Sequence, residues 1–305
     1  MVSAFESFVI ERWMRERDVF VSAAKELGAE VNVQNANGDV EEQISQIEYF
    51  IKKQVDVIVV VAGDCEALSD VMIKAREAGI KTVSYDRLIM NAGCDLYISF
   101  DNTEVGRLMA ESMLENIPDG GDIFLIQGPL TDNNVSLIRE GIDETLAGSN
   151  LNVVYEANCP GWIAENAYTY TKEGLKLDRN VKGIICGNDD LASQAFRALS
   201  EERLAGKVCV TGQDGDLAAC QRIVEETQEM TAFKSVEQEA SLAAKCAVLL
   251  GLGEEIEEVQ DTAYDGTYNV PYLELQPIAV TKENMDEVII KGGFHAKEDV
   301  YLNVN

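Results

Sequence analysis

Short apolar runs of strand length alternate with longer amphipathic stretches through most of this chain, and that rhythm constrains the fold more than any other feature. The runs are Val31–Val33, Val55–Val61, Lys81–Tyr85, Leu96–Phe100, Asp122–Ile126, Asn152–Tyr155, Gly183–Cys186 and Lys207–Thr211. Between most of them lie helical patterns such as Val40–Lys53, where Ile44, Ile47 and Ile51 share one face. Strand–helix repetition of this kind predicts an α/β protein with parallel sheets and helices on both sheet faces. The rhythm breaks at Tyr85–Leu96, near Met230–Ser235 and around Asp265–Pro277. Three breaks suit two doubly wound lobes joined by several crossings better than one closed barrel.

Charge narrows the partners. Against 25 Lys and Arg stand 54 Asp and Glu, a formal net charge of −29. Nucleic acid and anionic membrane surfaces are bound by neutralising phosphates with basic side chains, so this surface repels both. The single histidine, His295, argues against a Ser-His-Asp hydrolase or a His-rich metal site. No G-x-x-x-x-G-K-[ST] or G-x-G-x-x-G follows a strand, and Cys209–Asp216 lacks an EF-hand register. No cofactor and no metal is expected. Neutral small molecules are the easiest partners to accommodate.

The seven cysteines, Cys65, Cys94, Cys159, Cys186, Cys209, Cys220 and Cys246, show no C-x-x-C pair. Several sit in apolar stretches, as buried thiols do, which on its own points to a reducing compartment. No apolar run reaches the roughly 18 residues that a membrane helix needs. The start, MVSAFESF, is neither a signal peptide nor a complete first strand. It reads as a chain whose native N-terminus, with any targeting signal, lies upstream.

In open parallel sheets, ligands bind beyond the carboxyl ends of the strands. Six clusters fall there. Asp86-Arg87 closes KTVSY, Asp132-Asn133-Asn134 follows DIFLIQG, Asn188-Asp189-Asp190 follows GIICG, and Gln213-Asp214 follows KVCVTG. Trp162 comes after the turn Pro160-Gly161, and Arg12-Trp13 opens the first helix. Each has a plain alternative. Asn188 and Asp132 are residue types that cap helices, Asp86-Arg87 is readable as a solvated ion pair, and tryptophans are often core. The coincidence of amides, carboxylates, arginine and both tryptophans at strand ends suits a sugar, with aromatics for its apolar faces and planar polar groups for its hydroxyls. Asp86 and Asp214 as a glycosidase pair is less well supported, because Arg87 beside Asp86 favours the ionised form.

At these residues the sequence resembles the D-xylose-binding group within the pentose and ribose type of periplasmic binding proteins, which serve bacterial ABC importers. The likeness runs through IERWMRERDVF (Ile10–Phe20), VQNANGD (Val33–Asp39), QISQIE (Gln43–Glu48), YDRLI (Tyr85–Ile89), YISFDN (Tyr97–Asn102), TDNN (Thr131–Asn134), GWIAENA (Gly161–Ala167), GNDD (Gly187–Asp190), TGQDGDLA (Thr211–Ala218), FKS (Phe233–Ser235) and GGFH (Gly292–His295). The resemblance implies a type I solute-binding fold closing around one pentose by a hinge of three crossings. It implies an N-terminal lobe of residues 1–104 plus 236–276 and a C-terminal lobe of residues 105–235 plus 277–305, with the ligand in the cleft between them.

Carried over position by position, the resemblance places Arg12, Trp13, Asp86 and Arg87 in the first lobe and Asn133, Asn134, Trp162, Asn188 and Asp214 in the second, with Lys234 at the crossing. Trp13 and Trp162 would sandwich the pyranose, Asp86 and Asp214 accept from hydroxyls, Arg12 and Arg87 donate, and Asn188 do both. The expected partner is an ABC permease outside the cytoplasm. Other readings are a sugar sensor docking a membrane sensor histidine kinase, the ligand-binding half of a transcription repressor, or an enzyme. Asp190-Leu191, the helix after Ser235 and the cysteine count depart from the importer pattern. An exported protein of an organism living without oxygen, its thiols reduced, reconciles the last.

Overall fold

A computed structural model describes residues 1–259 and 261–304. The chain divides into two compact units. The first holds Met1–Asp101, Thr131–Asn134 and Ser235–Leu275, and the second holds Asn102–Leu130, Val135–Lys234 and Gln276 onward.

In the first unit β1 (Val2–Phe5), α1 (Glu11–Glu26), β2 (Asn32–Asn35), α2 (Val40–Lys52), β3 (Val57–Val61), α3 (Ser69–Glu77), β4 (Lys81–Tyr85) and β5 (Leu96–Phe100) follow in order. The second unit continues with α4 (Asn102–Asn116), β6 (Gly121–Gln127), α5 (Asn133–Leu146, whose first two residues group with the first unit), β7 (Leu151–Asn158), α6 (Glu165–Leu177), β8 (Gly183–Cys186), α7 (Asp189–Glu201), β9 (Cys209–Gln213), α8 (Leu217–Val224) and β10 (Met230–Phe233). The chain then gives α9 (Val236–Leu252), β11 (Asp261–Tyr264) and β12 (Asn269–Leu275) to the first unit, and β13 (Ile278–Val280) and α10 (Lys297–Val300) to the second.

The first sheet runs β11-β12-β5-β4-β3-β1-β2 and the second β13-β10-β9-β8-β6-β7. Their interiors are parallel, as the alternation predicts, and the central strands Val57–Val61 and Leu96–Phe100 are buried along their whole length. That is why they read as near-continuous apolar runs, interrupted only by Ser99, rather than alternating ones. Each sheet also carries one antiparallel edge, β11 on β12 and β13 on β10. The sheets are therefore mixed rather than purely parallel. The edge strand DTAY is largely exposed, so it offered no apolar signal.

Two local expectations change. Residues 2–5, read as a clipped element, form a buried strand paired on both sides, with β2 and with β3. The strand expected at Lys207–Thr211 is Cys209–Gln213, which brings Gln213 to its carboxyl end. The link between β4 and β5 has no helix, as the break in the rhythm predicts, and the two strands pair in parallel, Val83 opposite Leu96.

Helices cover both faces. In the first unit Ile47 and Phe50 of α2 and Val71, Met72 and Ala75 of α3 pack on Ile58 and Val60 from one side, while α9 lies on β3, β4 and β5 and carries α1. Helix α2 begins where Asp39 accepts from the Glu41 and Glu42 amides, satisfying two donors that the first turn leaves open. In the second unit Val105, Met109 and Met113 of α4 and Ile138 and Ile142 of α5 pack on Ile123, Leu125 and Ile185. No described helix is long and apolar enough to cross a membrane.

All seven cysteines are buried with free thiols. Burial pushes Cys65 and Cys159 up to about 12 and Cys94 and Cys246 up to about 11. Reactivity needs the thiolate. Titration with a thiol reagent at pH 8 is therefore expected to be slow in the native protein and to reach all seven thiols promptly once it is unfolded in denaturant. Several fast-reacting thiols in the native protein contradict this packing.

Candidate functional site

The first unit gathers charge at the carboxyl ends of its strands. Glu6 follows β1, Ala62 follows β3, and Asp86 and Arg87 follow β4. Arg87 Nη1 donates to the Ala62 carbonyl at 2.8 Å, its Nε lies 2.8 Å from Asp132 Oδ2, and Glu6 stands 3.5 Å away. Burial alone lowers the affinity of this guanidinium for its proton, but Asp132, Glu6 and Asp86 outweigh it and hold the group above its ordinary value. Arg12, on the first turn of α1, pairs with Glu16 one turn on, with Glu239 of α9 at 2.7 Å and with Asp86 at 3.3 Å. Both arginines and Asp86 are at most 4% exposed, so the solvated Asp86–Arg87 pair that the sequence allowed is not what forms.

Asp86 sits in the left-handed region, at φ 61°. Its amide donates to the Ile98 carbonyl at 2.8 Å, and its own carbonyl accepts from Ser99 Oγ at 2.6 Å and Asn134 Nδ2 at 3.1 Å. Asn134 Nδ2 also reaches Asp86 Oδ1 at 3.0 Å. Through these bonds Thr131–Asn134 groups with the first unit. Of the two amides Asn134 is buried and bonded to Asp86, whereas Asn133 is half-buried. Asp132 caps as its type suggests, accepting from the Asn134 amide at 3.0 Å, and binds Arg87 as well. Trp13 packs against Phe5, and the guanidinium carbons of Arg12 and Arg87 lie 4.6 and 5.6 Å from its ring centroid.

The second unit builds its own set. Trp162 ends the turn Pro160–Trp162 with φ 56°, just after Gly161 at φ 59°. Its ring fills the space that Gly128 and Gly187 leave open; a Cβ on Gly128 would lie 2.2 Å from Trp162 Cζ2. Asn188 caps α7, its Oδ1 accepting from the Leu191 amide at 2.9 Å. Asp214 takes φ 99° and stands 3.6 Å from Lys234 Nζ, both side chains buried. Site residues thus supply three of the non-glycine positions with positive φ, Asp86, Trp162 and Asp214, a conformation that costs about 1–3 kcal/mol each for such residues.

Sequence reasoning missed Glu6, Glu16, Gln213 and Glu239. Gln213 stands at a strand end beside Asp214, and that position is the signal that marks it. Several buried polar atoms here have no hydrogen-bond partner among the described residues: Trp13 Nε1 and Asn134 Oδ1 in the first unit, and Asn188 Nδ2, Gln213 Oε1 and Gln127 Nε2 in the second. Buried polar groups are overwhelmingly paired, and one left unpaired costs about 1–3 kcal/mol. Such a set of donors and acceptors matches hydroxyl groups, which do both. A cavity of about 520 Å³ elsewhere in the second unit is lined by Glu111, Glu115, Glu226 and Glu229 with no aromatic side chain, which suits a sugar poorly. Among the described residues no three His, Cys, Asp or Glu are arranged to hold a metal ion.

Comparison with known proteins identifies the family. A family model described as a periplasmic binding protein domain matches residues 5–255. The chain is 44% identical over 297 residues to the D-xylose-binding periplasmic protein of Haemophilus influenzae, covering 96% of this chain and 89% of that one. It is 40% identical over 302 residues to the protein of the same description from Escherichia coli, covering 97% and 91%. An ABC transporter solute binding protein of Clostridium phytofermentans, solved with β-D-glucose, matches 98% of this chain and 99% of its own at a TM-score of 0.90 and 26% identity.

Two outcomes are expected. In a Trp13→Phe background, which leaves Trp162 as the sole tryptophan, Gly128→Ala should shift the emission maximum because the ring must move; an unchanged spectrum contradicts the packing. Arg12→Met leaves Glu16, Glu239 and Asp86 buried without their cation. It should lower unfolding free energy in urea by about 3–5 kcal/mol, and a change below about 1 kcal/mol contradicts the network.

Proposed function

This chain belongs to the periplasmic binding protein family, and on that premise we propose that it is an extracytoplasmic receptor that binds D-xylose without transforming it and delivers it to an ABC importer. One observation carries the sugar reading: the residues that resemblance marks as ligand contacts include those with buried, unpartnered polar atoms, Trp13, Asn134 and Asn188. The choice of D-xylose is supported by the two relatives of that description, similar over nearly the full chain.

In this proposal both sets of residues serve one pentose. Trp162 and Trp13 offer ring surface to its C–H faces, and Trp13 Nε1 and Asn188 Nδ2 donate to its oxygens. Asp86 and Asp214 accept from hydroxyls, with Arg12 and Lys234 holding their charge in place, and Asn134 Oδ1 and Gln213 Oε1 accept as well. Arg87 orients the strand ends behind them. A ligand that contacts both sets favours whichever arrangement of the units lets it do so, by the difference in its affinity for the alternatives. That is how a hinge closes on sugar without chemistry.

Isothermal titration calorimetry tests this. D-xylose should bind one-to-one with micromolar affinity, about −8 kcal/mol, and D-glucose more weakly because its hydroxymethyl group needs space beside tryptophan. Trp162→Ala and Asp214→Ala should each weaken binding at least about 100-fold, roughly 2.7 kcal/mol, with the thermal transition retained. Silence with D-xylose, or wild-type affinity in both variants, contradicts the assignment.

A further inference from the structure

The loop that carries Asp214 is anchored on a buried carboxylate, Asp189, that is not among the proposed sugar contacts. Asp189, the first residue of α7, is 0% exposed. Its Oδ2 accepts from the Gly215 amide at 2.9 Å, the Asp216 amide at 3.1 Å and Thr231 Oγ1 at 2.7 Å, and its Oδ1 accepts from Gln228 Nε2 at 2.9 Å. Thr231 Oγ1 in turn accepts from the Gly215 amide at 3.1 Å. The space is tight, since a Cβ on Gly212 would lie 2.3 Å from Asp189 Oδ1. The two amides aimed at Asp189 immediately follow Asp214, whose φ of 99° is the most displaced among the non-glycine residues of positive φ.

Resting on the D-xylose reading of this site, we propose that Asp189 is a positioning residue: as a carboxylate it anchors the Gly215 and Asp216 amides and so holds Asp214 ready for the sugar, and on taking up a proton it releases them and weakens binding. An ionised carboxylate only accepts, whereas a protonated one must place an O–H among N–H groups that only donate and the Thr231 hydroxyl, which already accepts from the Gly215 amide. The strained turn after β9 then loses the acceptor that fixes it.

The surrounding charges set where this happens. Burial pushes Asp189 up, to about 7, against the Thr231 hydroxyl, the Arg222 guanidinium of α8 and Gln228, with the Asp214 carboxylate adding to the rise. Asp216 in the loop and the Cys186 thiol of β8 complete the titratable groups nearby. On the loop's other side His295 Nε2 lies 2.8 Å from the Gly215 carbonyl, which also accepts from Cys220 Sγ.

The sign separates this from a merely structural role. The folded-state value lies above the ordinary carboxylate range, so Asp189 takes up its proton more readily folded than unfolded. Its contribution to stability therefore rises as pH falls through about 7 toward about 4, while sugar affinity falls over the upper part of that window. A group that only propped up the fold would move both together.

The experiment is calorimetry with D-xylose from pH 5.5 to 8.5, paired with amide NMR of the selectively 15N-labelled full chain without sugar. For the wild type, the dissociation constant should be about tenfold weaker at pH 6 than on the alkaline plateau, and the Gly215 and Asp216 amides should titrate with a midpoint near 7. Asp189→Asn should bind at least about tenfold more weakly at pH 8, with a flat pH profile and static amides. Thr231→Val, which keeps the carboxylate but removes a donor, should move the midpoint upward. Histidines ordinarily change charge near neutrality, so His295→Gln is the control and should leave the midpoint in place. As pH falls, the melting temperature of the wild type should gain on that of Asp189→Asn. A wild-type affinity that is flat between pH 6 and 8, or Asp189→Asn retaining the wild-type profile, overturns the proposal. Failure of D-xylose to bind at any pH would instead sink the ligand reading, and the amide titration, which needs no sugar, still decides whether Asp189 holds the loop.

Discussion

Two guanidinium groups buried among five carboxylates at the strand ends of the first sheet hold that end of the molecule together. Arg87 ties Glu6 after β1, the Ala62 carbonyl after β3 and Asp132 to the end of β4. Arg12 ties α1 to α9 through Glu239 and to β4 through Asp86. Burial makes such groups interdependent: a charge out of water is tolerated only while its partners stay in place. The same pairs fix where Trp13 and Asp86 stand, so the site's geometry and the unit's integrity rest on the same interactions. With carboxylates in excess, oxygens are in better supply than donors, a composition matched to a ligand rich in hydroxyl groups.

The second unit uses backbone strain where the first uses charge. Trp162 and Asp214 both take left-handed conformations that their side chains disfavour, each next to a glycine that eases the turn, Gly161 and Gly215. Unpartnered buried atoms on Asn188 and Gln213 add to the cost. Strain and unmade hydrogen bonds cluster at functional sites. Both lie at the carboxyl ends of strands, where the parallel sheet leaves its loops open.

Much of this was legible in the sequence, for reasons the structure makes clear. Strands buried on both faces, such as Val57–Val61, are predominantly apolar, so they announce themselves. Edge strands can be polar, and Asp261–Tyr264 did not. Strand-end clusters were visible because strand and helix boundaries were. Who pairs with whom was not. Asp86 and Arg87 are neighbours in sequence, yet Arg12 binds Asp86 and Asp132 binds Arg87, because the turn after β4 sends successive side chains apart. Glu239, 227 residues from the arginine it holds, carries no local signal at all. The placement of Thr131–Asn134 with the first unit follows from the same bonds, which no pattern in the stretch itself encodes. The positive φ values were hidden too, although Gly161 and Gly215 beside Trp162 and Asp214 were a hint that went unused.

Backbone amide hydrogen exchange with and without D-xylose tests most directly the proposal that one sugar engages residues of both units. The expected result at saturating sugar is slowed exchange in residues 86–89 of the first unit and, in the same experiment, in residues 160–163 and 214–216 of the second. Protection confined to one unit, or absent from both while calorimetry shows binding, would contradict it.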